Sequence, residues 1–157
     1  MQILLTGAGG FVGSNVAGVL AAAAAAGTPG ARLIAADLAP PREETLRLLA
    51  PVADHMTWVR LDARDRDSLR TLVVRERVTH IVHGAAITAL PDEEAARAVE
   101  IVDVNLGSTI NVLAVASAAP GVERVIVLSS SGVYAVPPHG QLGKRGRRQP
   151  EDGELAL

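Results

Sequence analysis

An open, doubly wound α/β sheet of about five parallel strands, with helices on both faces, is the fold class this sequence predicts. Three observations predict it. Short apolar runs alternate with helical stretches five times, the pattern of a parallel sheet covered on both faces. A glycine-rich turn, Gly7-Ala8-Gly9-Gly10-Phe11-Val12-Gly13, joins the first run to the first helical stretch. The 157 residues are 48% hydrophobic and 20% charged, enough for one domain with a sizeable core.

The elements follow in order. Residues 2–6 (Gln-Ile-Leu-Leu-Thr) form an apolar run ending in glycine, as a buried parallel strand does. Phe11 to about Ala26 reads as a helix, in which Val12, Val16, Val19 and Leu20 share one face. Gly27-Thr28-Pro29-Gly30 stops it. Arg32 to Asp37 is a second strand; Arg42 to Ala50, between Pro41 and Pro51, reads as a helix. Met56 to Leu61 is a third strand, followed by a helix from about Asp65 to Arg77. His80 to His83 centres a fourth strand. A long helix covers roughly Asp92 to Ala119, with Ile101, Val104, Ile110 and Leu113 among its apolar positions. Pro120-Gly121 ends it, and Glu123 to Ser130 is the fifth strand. Right-handed crossovers make the doubly wound topology the leading one, with the ligand expected at the carboxyl ends of the strands where their order reverses.

Composition narrows the function classes. A net charge of −2 argues against a nucleic-acid or membrane-surface binder, since both work through a basic face. With no cysteine, disulfides, thiolate metal sites and cysteine nucleophiles are excluded. No apolar run approaches the roughly 20 residues that span a bilayer. Met1-Gln2-Ile3-Leu4-Leu5 has no basic flank and reaches glycines too soon for a signal peptide, so a cytoplasmic location is expected. No metal site is expected either. His80 and His83 are three apart on a strand, so they point to opposite faces, and His83 reads as a packed strand-end residue.

The glycine turn carries the chemistry. A dinucleotide's pyrophosphate needs bare backbone N–H groups at a helix N-terminus, where the partial positive charge lies. Gly7 allows the tight turn, Gly10 lets the backbone approach the phosphates, and Gly13 permits close helix–strand packing. The spacing is G-x-x-G-x-x-G, because Val12 occupies the last glycine position of the stricter G-x-G-x-x-G. An acidic residue is expected about 20 residues on, at the end of the next strand, to bond the ribose hydroxyls. Asp37 stands there, 24 residues after Gly13, although a turn or cap role would also suit it. Its carboxylate would repel a 2′-phosphate, favouring NAD over NADP; Arg42, close by in sequence, weakens that preference.

At this point the chain resembles the extended short-chain dehydrogenase/reductase family, which includes the NAD-dependent epimerases and dehydratases, and its N-terminal Rossmann part in particular. The resemblance is carried over residues 1 to about 135 by the glycine turn, Asp37, Leu61-Asp62-Ala63-Arg64-Asp65, His83-Gly84-Ala85-Ala86, Val104-Asn105-Leu106-Gly107-Ser108-Thr109 and Ser129-Ser130-Ser131-Gly132-Val133-Tyr134. It implies an NAD-binding domain over 1–136, with cofactor contacts from Gly7, Gly10, Phe11, Val12, Gly13, Asp37, Asp62, Ala63, Ala85, Ala86, Asn105 and Ser129. Asp62 would bond the adenine amino group beside the Ala63 backbone. Ala85 and Ala86 would keep the fourth strand's end small, and Asn105 would support the strand ends on the nicotinamide side. Ser130 takes the place of the family's catalytic serine, with Ser131 as second choice because the triple serine blurs the register. A sugar or sugar-nucleotide substrate is implied for an intact homologue. A homodimer is an implied option, since members of the family often pair through helices corresponding to the third helical region and the long helix here.

One implied feature is missing. In such enzymes a tyrosine followed four residues later by a lysine moves the proton, because a phenol with a pKa near 10 needs a cationic neighbour to act as a base. The chain has one tyrosine, Tyr134, and one lysine, Lys144, ten residues apart; the Tyr-x-x-x-Lys pair is absent. Residues 137–157 carry Pro137-Pro138 and a basic cluster of Lys144, Arg145, Arg147 and Arg148, and are expected to be an irregular, mobile tail. Pro150 to Leu155 looks like the acidic loop that precedes the family's tyrosine. The reading that follows is a truncated or shifted frame, catalytically incomplete, with a non-catalytic NAD-sensing module as the alternative.

Overall fold

The structure, a computed structural model, describes residues 1–27 and 30–130. The chain divides into two compact units, Met1–Val127 and Leu128–Leu157. The expectations for Ser131, Tyr134 and the 137–157 tail lie outside the described residues.

The first unit is a five-stranded parallel sheet. Its strands are β1 (Gln2–Thr6), β2 (Arg32–Asp37), β3 (Met56–Arg60), β4 (His80–His83) and β5 (Arg124–Val127), in the order β3-β2-β1-β4-β5. Helices α1 (Phe11–Gly27), α2 (Glu43–Leu49), α3 (Arg66–Arg75), α4 (Pro91–Val102) and α5 (Ser108–Ala118) connect them. Strand side chains alternate between faces, so the core falls into two layers. Ile3, Leu5, Leu33, Ala35 and Val82 meet Ala17, Ala21 and Leu49 on one face. Leu4, Ile34, Ala36 and Ile81 meet Leu69, Leu72, Val112 and Val115 on the other. The predicted doubly wound Rossmann sheet is the observed one. Strand order reverses between β1 and β4, which opens a crevice at their carboxyl ends.

Four readings change in detail. The side of α1 facing the sheet is Gly13, Ser14, Ala17, Ala21 and Ala24, whereas Val12 and Val19 are 55% and 71% exposed. At Gly13 the first turn leaves no room for a Cβ, and further along Val16 and Leu20 pack partly buried against the same core. β5 stops at Val127 rather than Ser130, since β4 offers four residues of backbone for pairing and no more. The segment after α2 is a 3-10 helix, Ala50–His55. The long helix is interrupted by a π segment, Asp103–Gly107, between α4 and α5, and Ile110 and Leu113 are exposed on it. Contrary to the expectation from uninterrupted apolar runs, that helix, Asp92–Ala118, is long and apolar enough to cross a membrane by length and composition. Ser108, Val112 and Val115 are buried on it.

Candidate functional site

The crevice is a cleft of ≈ 400 Å³ to which Gly7, Gly10 and Asp37 all contribute. Gly7 holds φ +73°, a conformation that L side chains avoid, and a Cβ there would lie 2.5 Å from the Gly84 carbonyl oxygen. Gly13 is tighter: its Cβ would fall 1.9 Å from the Gly7 oxygen. The turn is drawn in by Ala8 N donating to Ala36 O at 3.2 Å and Gly10 N to Gly7 O at 3.2 Å. At Gly10 an added Cβ would meet the protein only at 3.4 Å, so the missing side chain there leaves room in the cleft itself. The first turn of α1 holds no acidic side chain. The amides of Phe11, Val12 and Gly13 have no partner within the helix, and its positive end stays available to an anion. The Phe11 side chain is exposed.

Asp37, at the end of β2, binds the turn itself. Its Oδ2 accepts from Gly9 N at 2.8 Å and its Oδ1 from Ala39 N at 3.2 Å. It therefore serves as a turn residue and faces the cleft at once. Asp62, past β3, lines the same cleft and is gripped by Arg64, which donates through Nε at 3.0 Å and Nη2 at 2.7 Å. That guanidinium holds the Asp62 carboxyl below its ordinary range, and Asp62 in turn raises the proton affinity of Arg64. Arg64 also reaches Asp103 at 3.1 Å, tying the loop after β3 to the π segment. Ala63 is buried.

The opposite wall follows β4. Gly84, Ala85, Ala86 and Ile87 line it, and Gly84 N donates to Thr6 O at 3.0 Å. Asn105, inside the π segment, clamps this stretch: its Oδ1 accepts from Ile87 N at 2.7 Å and its Nδ2 donates to Ile87 O at 3.0 Å. His83 is buried, as a packed strand-end residue should be, and its ring meets Thr6, Ser108 and Thr109. His80 meets Thr79. Ser129 and Ser130 follow β5 as exposed residues of the second unit.

Residues 3–152 match the NAD dependent epimerase/dehydratase family. This chain belongs to that family. An epimerase/dehydratase-family chain of this kind is 30% identical over 137 residues to an uncharacterized protein of Mycobacterium tuberculosis, a match covering 87% of this chain and 34% of the relative. Among solved structures it is similar to a UDP-glucose 4-epimerase from Bifidobacterium longum in complex with NAD+ and UDP, with a TM-score of 0.77, 22% identity, and coverage of 99% of this chain and 43% of that one. It is also similar to an L-threonine dehydrogenase from Cupriavidus necator in its holo form, with a TM-score of 0.65, 31% identity, and coverage of 85% and 38%. The chain thus spans about a third of the length of the curated relatives it matches.

The cofactor of the epimerase/dehydratase family is NAD, and the cleft suits a dinucleotide on its own features. Its floor at the turn carries no Cβ, a helix start faces it, and a carboxylate stands at the next strand's end. Sequence reasoning passed over the Gly9 amide that orients Asp37, and the bridge from Arg64 to Asp103. A motif reading looks for ligand contacts, whereas these two act on other protein groups. The proximity of Arg64 to Asp62 in Asp62-Ala63-Arg64 was the one available signal.

Proposed function

We propose that residues 1–136 form the NAD-binding domain of an epimerase/dehydratase-type oxidoreductase acting on a sugar or sugar-nucleotide. The observation that carries this reading is the meeting of Gly7, Gly10 and Asp37 around one cleft at the reversal of strand order. Gly7, Gly10 and the first-turn amides of α1 (Phe11, Val12, Gly13) would hold the pyrophosphate, and Asp37 the adenosine ribose. Asp62 and Ala63 would meet the adenine, while Ala85, Ala86, Asn105 and Ser129 would serve the nicotinamide side. NAD, when bound, supplies the acceptor for the substrate's hydrogen, and Ser130 would polarise the substrate oxygen. These 157 residues contain no Tyr-x-x-x-Lys pair to move the proton, so they would bind the dinucleotide without completing turnover. Calorimetric titration with NAD+ tests this. Micromolar binding by the wild type is expected, with loss of about tenfold or more in Asp37→Ala, the scale of hydrogen bonds to a charged group, and a gain in relative NADP+ affinity. Gly10→Val should abolish binding. Wild-type affinity in both variants would remove the assignment, and NAD-dependent oxidation by the purified chain would remove the claim of incompleteness.

We further propose that the chain pairs with a second copy through the long helix. Val99, Val102, Leu106, Ile110 and Leu113 are all exposed, Val99 by 85%, and recur at steps of three and four residues along it. A two-fold axis would bring this stripe onto itself. Sedimentation should show a dimer that Leu106→Glu dissociates; a wild-type monomer at every concentration would exclude it.

A further inference from the structure

We infer that His83 is a positioning residue for the cleft: fixed as its Nε2–H tautomer, it ties the end of β1, directly under the glycine turn, to the π segment of the long helix. The inference rests on the dinucleotide reading of the cleft and assigns a task to a buried group that reading does not use.

Proton accounting fixes the tautomer. The ring is 2% exposed. Its Nδ1 lies 2.7 Å from Thr6 Oγ1, and its Nε2 lies 3.2 Å from both Ser108 Oγ and Thr109 Oγ1. A hydroxyl has one proton to donate. That of Ser108 goes to the Val104 carbonyl, and that of Thr109 goes to the Asn105 carbonyl at 2.7 Å. Neither is left for the imidazole, so both hydroxyls accept from it and Nε2 carries the hydrogen. In a neutral ring the other nitrogen is then an acceptor, and Nδ1 receives the Thr6 proton. Burial lowers the ring's pKa from its ordinary value, in keeping with a neutral ring.

The consequence is geometric. Val104 and Asn105, whose carbonyls Ser108 and Thr109 cap, both lie within Asp103–Gly107. Side-chain bonds to the carbonyl four residues back compete with helical pairing, and a π widening of a helix often marks a functional site. Asn105 then holds Ile87 through both its backbone groups. A continuous path of contacts therefore runs from Thr6 through His83, Ser108 and Thr109 to Asn105 and Ile87. Thr6 precedes Gly7 on one wall of the cleft; His83 precedes Gly84 on the other. The imidazole sets the spacing of the two walls from beneath. Its exact donor–acceptor polarity is needed, because an imidazolium offers two donors and returns nothing to Thr6.

Long-range proton–nitrogen correlation spectra of the 157-residue chain, without cofactor and at neutral pH, should show His83 with a protonated Nε2 and a bare Nδ1. An Nδ1–H tautomer or an imidazolium overturns the inference. In NAD+ titrations, His83→Leu should weaken binding about tenfold, the loss of roughly one net hydrogen bond. His83→Gln, which keeps a donor toward Ser108 and Thr109, should restore it to within about threefold. Thr6→Val should leave the fold intact, mix the two tautomers and shift the Gly9 and Gly10 amide signals. Should His83→Leu fail to fold, the Thr6→Val and His83→Gln results decide: unmoved amide signals and an unmixed tautomer in Thr6→Val overturn the inference. A wild type that does not bind NAD+ would sink the cofactor reading alone, since tautomer and amide signals are read without cofactor.

Discussion

On the β1–α1 side the cleft is bounded by backbone: Gly7 and Gly13 touch through atoms that leave no room for a methyl group. Elsewhere it is bounded by side chains: Asn105 to Ile87 and His83 to Thr6 and Ser108 along β4, and, past β3, Arg64 to Asp62 and Asp103. The first wall depends on what is missing from the chain, and at Gly7 and Gly13 it tolerates no addition. The second depends on polar partners, and each can be removed singly at a finite cost. Rigidity at the glycine turn and adjustability at the side-chain walls are thus built from different materials.

That contrast can be broken at several points. The largest effect is expected for Gly13→Ala, whose Cβ would have to share space with a backbone oxygen 1.9 Å away. A loss of about 3 kcal/mol, the upper end of overpacking costs, should appear in urea denaturation together with lost NAD+ binding; unchanged stability would show that the first wall yields after all. Asn105→Ala should be milder. It leaves the Ile87 N–H and carbonyl without their partner, at about 1–3 kcal/mol, and should shift amide signals along 84–87 while leaving those of 7–10 in place. Signals moving equally on both sides would show that the walls are not separable.

Acid should give the smallest and most graded effect, again on the side-chain wall. The folded-state pKa of His83 lies below the ordinary 6.5, so below that pH the unfolded chain takes up a proton the native chain refuses. Its contribution is complete above 6.5 and is lost as the pH falls toward the folded value. Asp62, held low chiefly by the Arg64 hydrogen bond, contributes fully above 3.8 and loses its contribution as the pH falls through its depressed value. Denaturation midpoints against pH should therefore show two successive declines, and His83→Gln should remove the upper one alone. A variant that keeps both would dissociate His83 from the acid response.

Much of the site could be read before any coordinates. Gly7, Gly10, Gly13 and Asp37 stand at spacings set by a turn and one strand–helix–strand unit, so local order in the chain nearly dictates their meeting. Asp62, Ala63, Ala85 and Ala86 were legible in the same way, as strand-end residues of successive units. The buried face of α1 was legible only in part: Val16 and Leu20 pack against the core while Val12 and Val19 are exposed, and a run of alanines offers no contrast between faces. The early end of β5 was not legible; among the described residues that strand pairs with β4 alone, over four positions.

The order of elements, the parallel sheet and the glycine turn were determined by the sequence alone, because periodicity and backbone-permissive residues act over a few positions and need no distant partner. The tautomer of His83, the Arg64 bridge to Asp103 and the Asn105 clamp on Ile87 were decided by tertiary structure. Each joins residues that lie on different elements, and a hydrogen bond across a gap of that kind exists only once the sheet has brought both ends together.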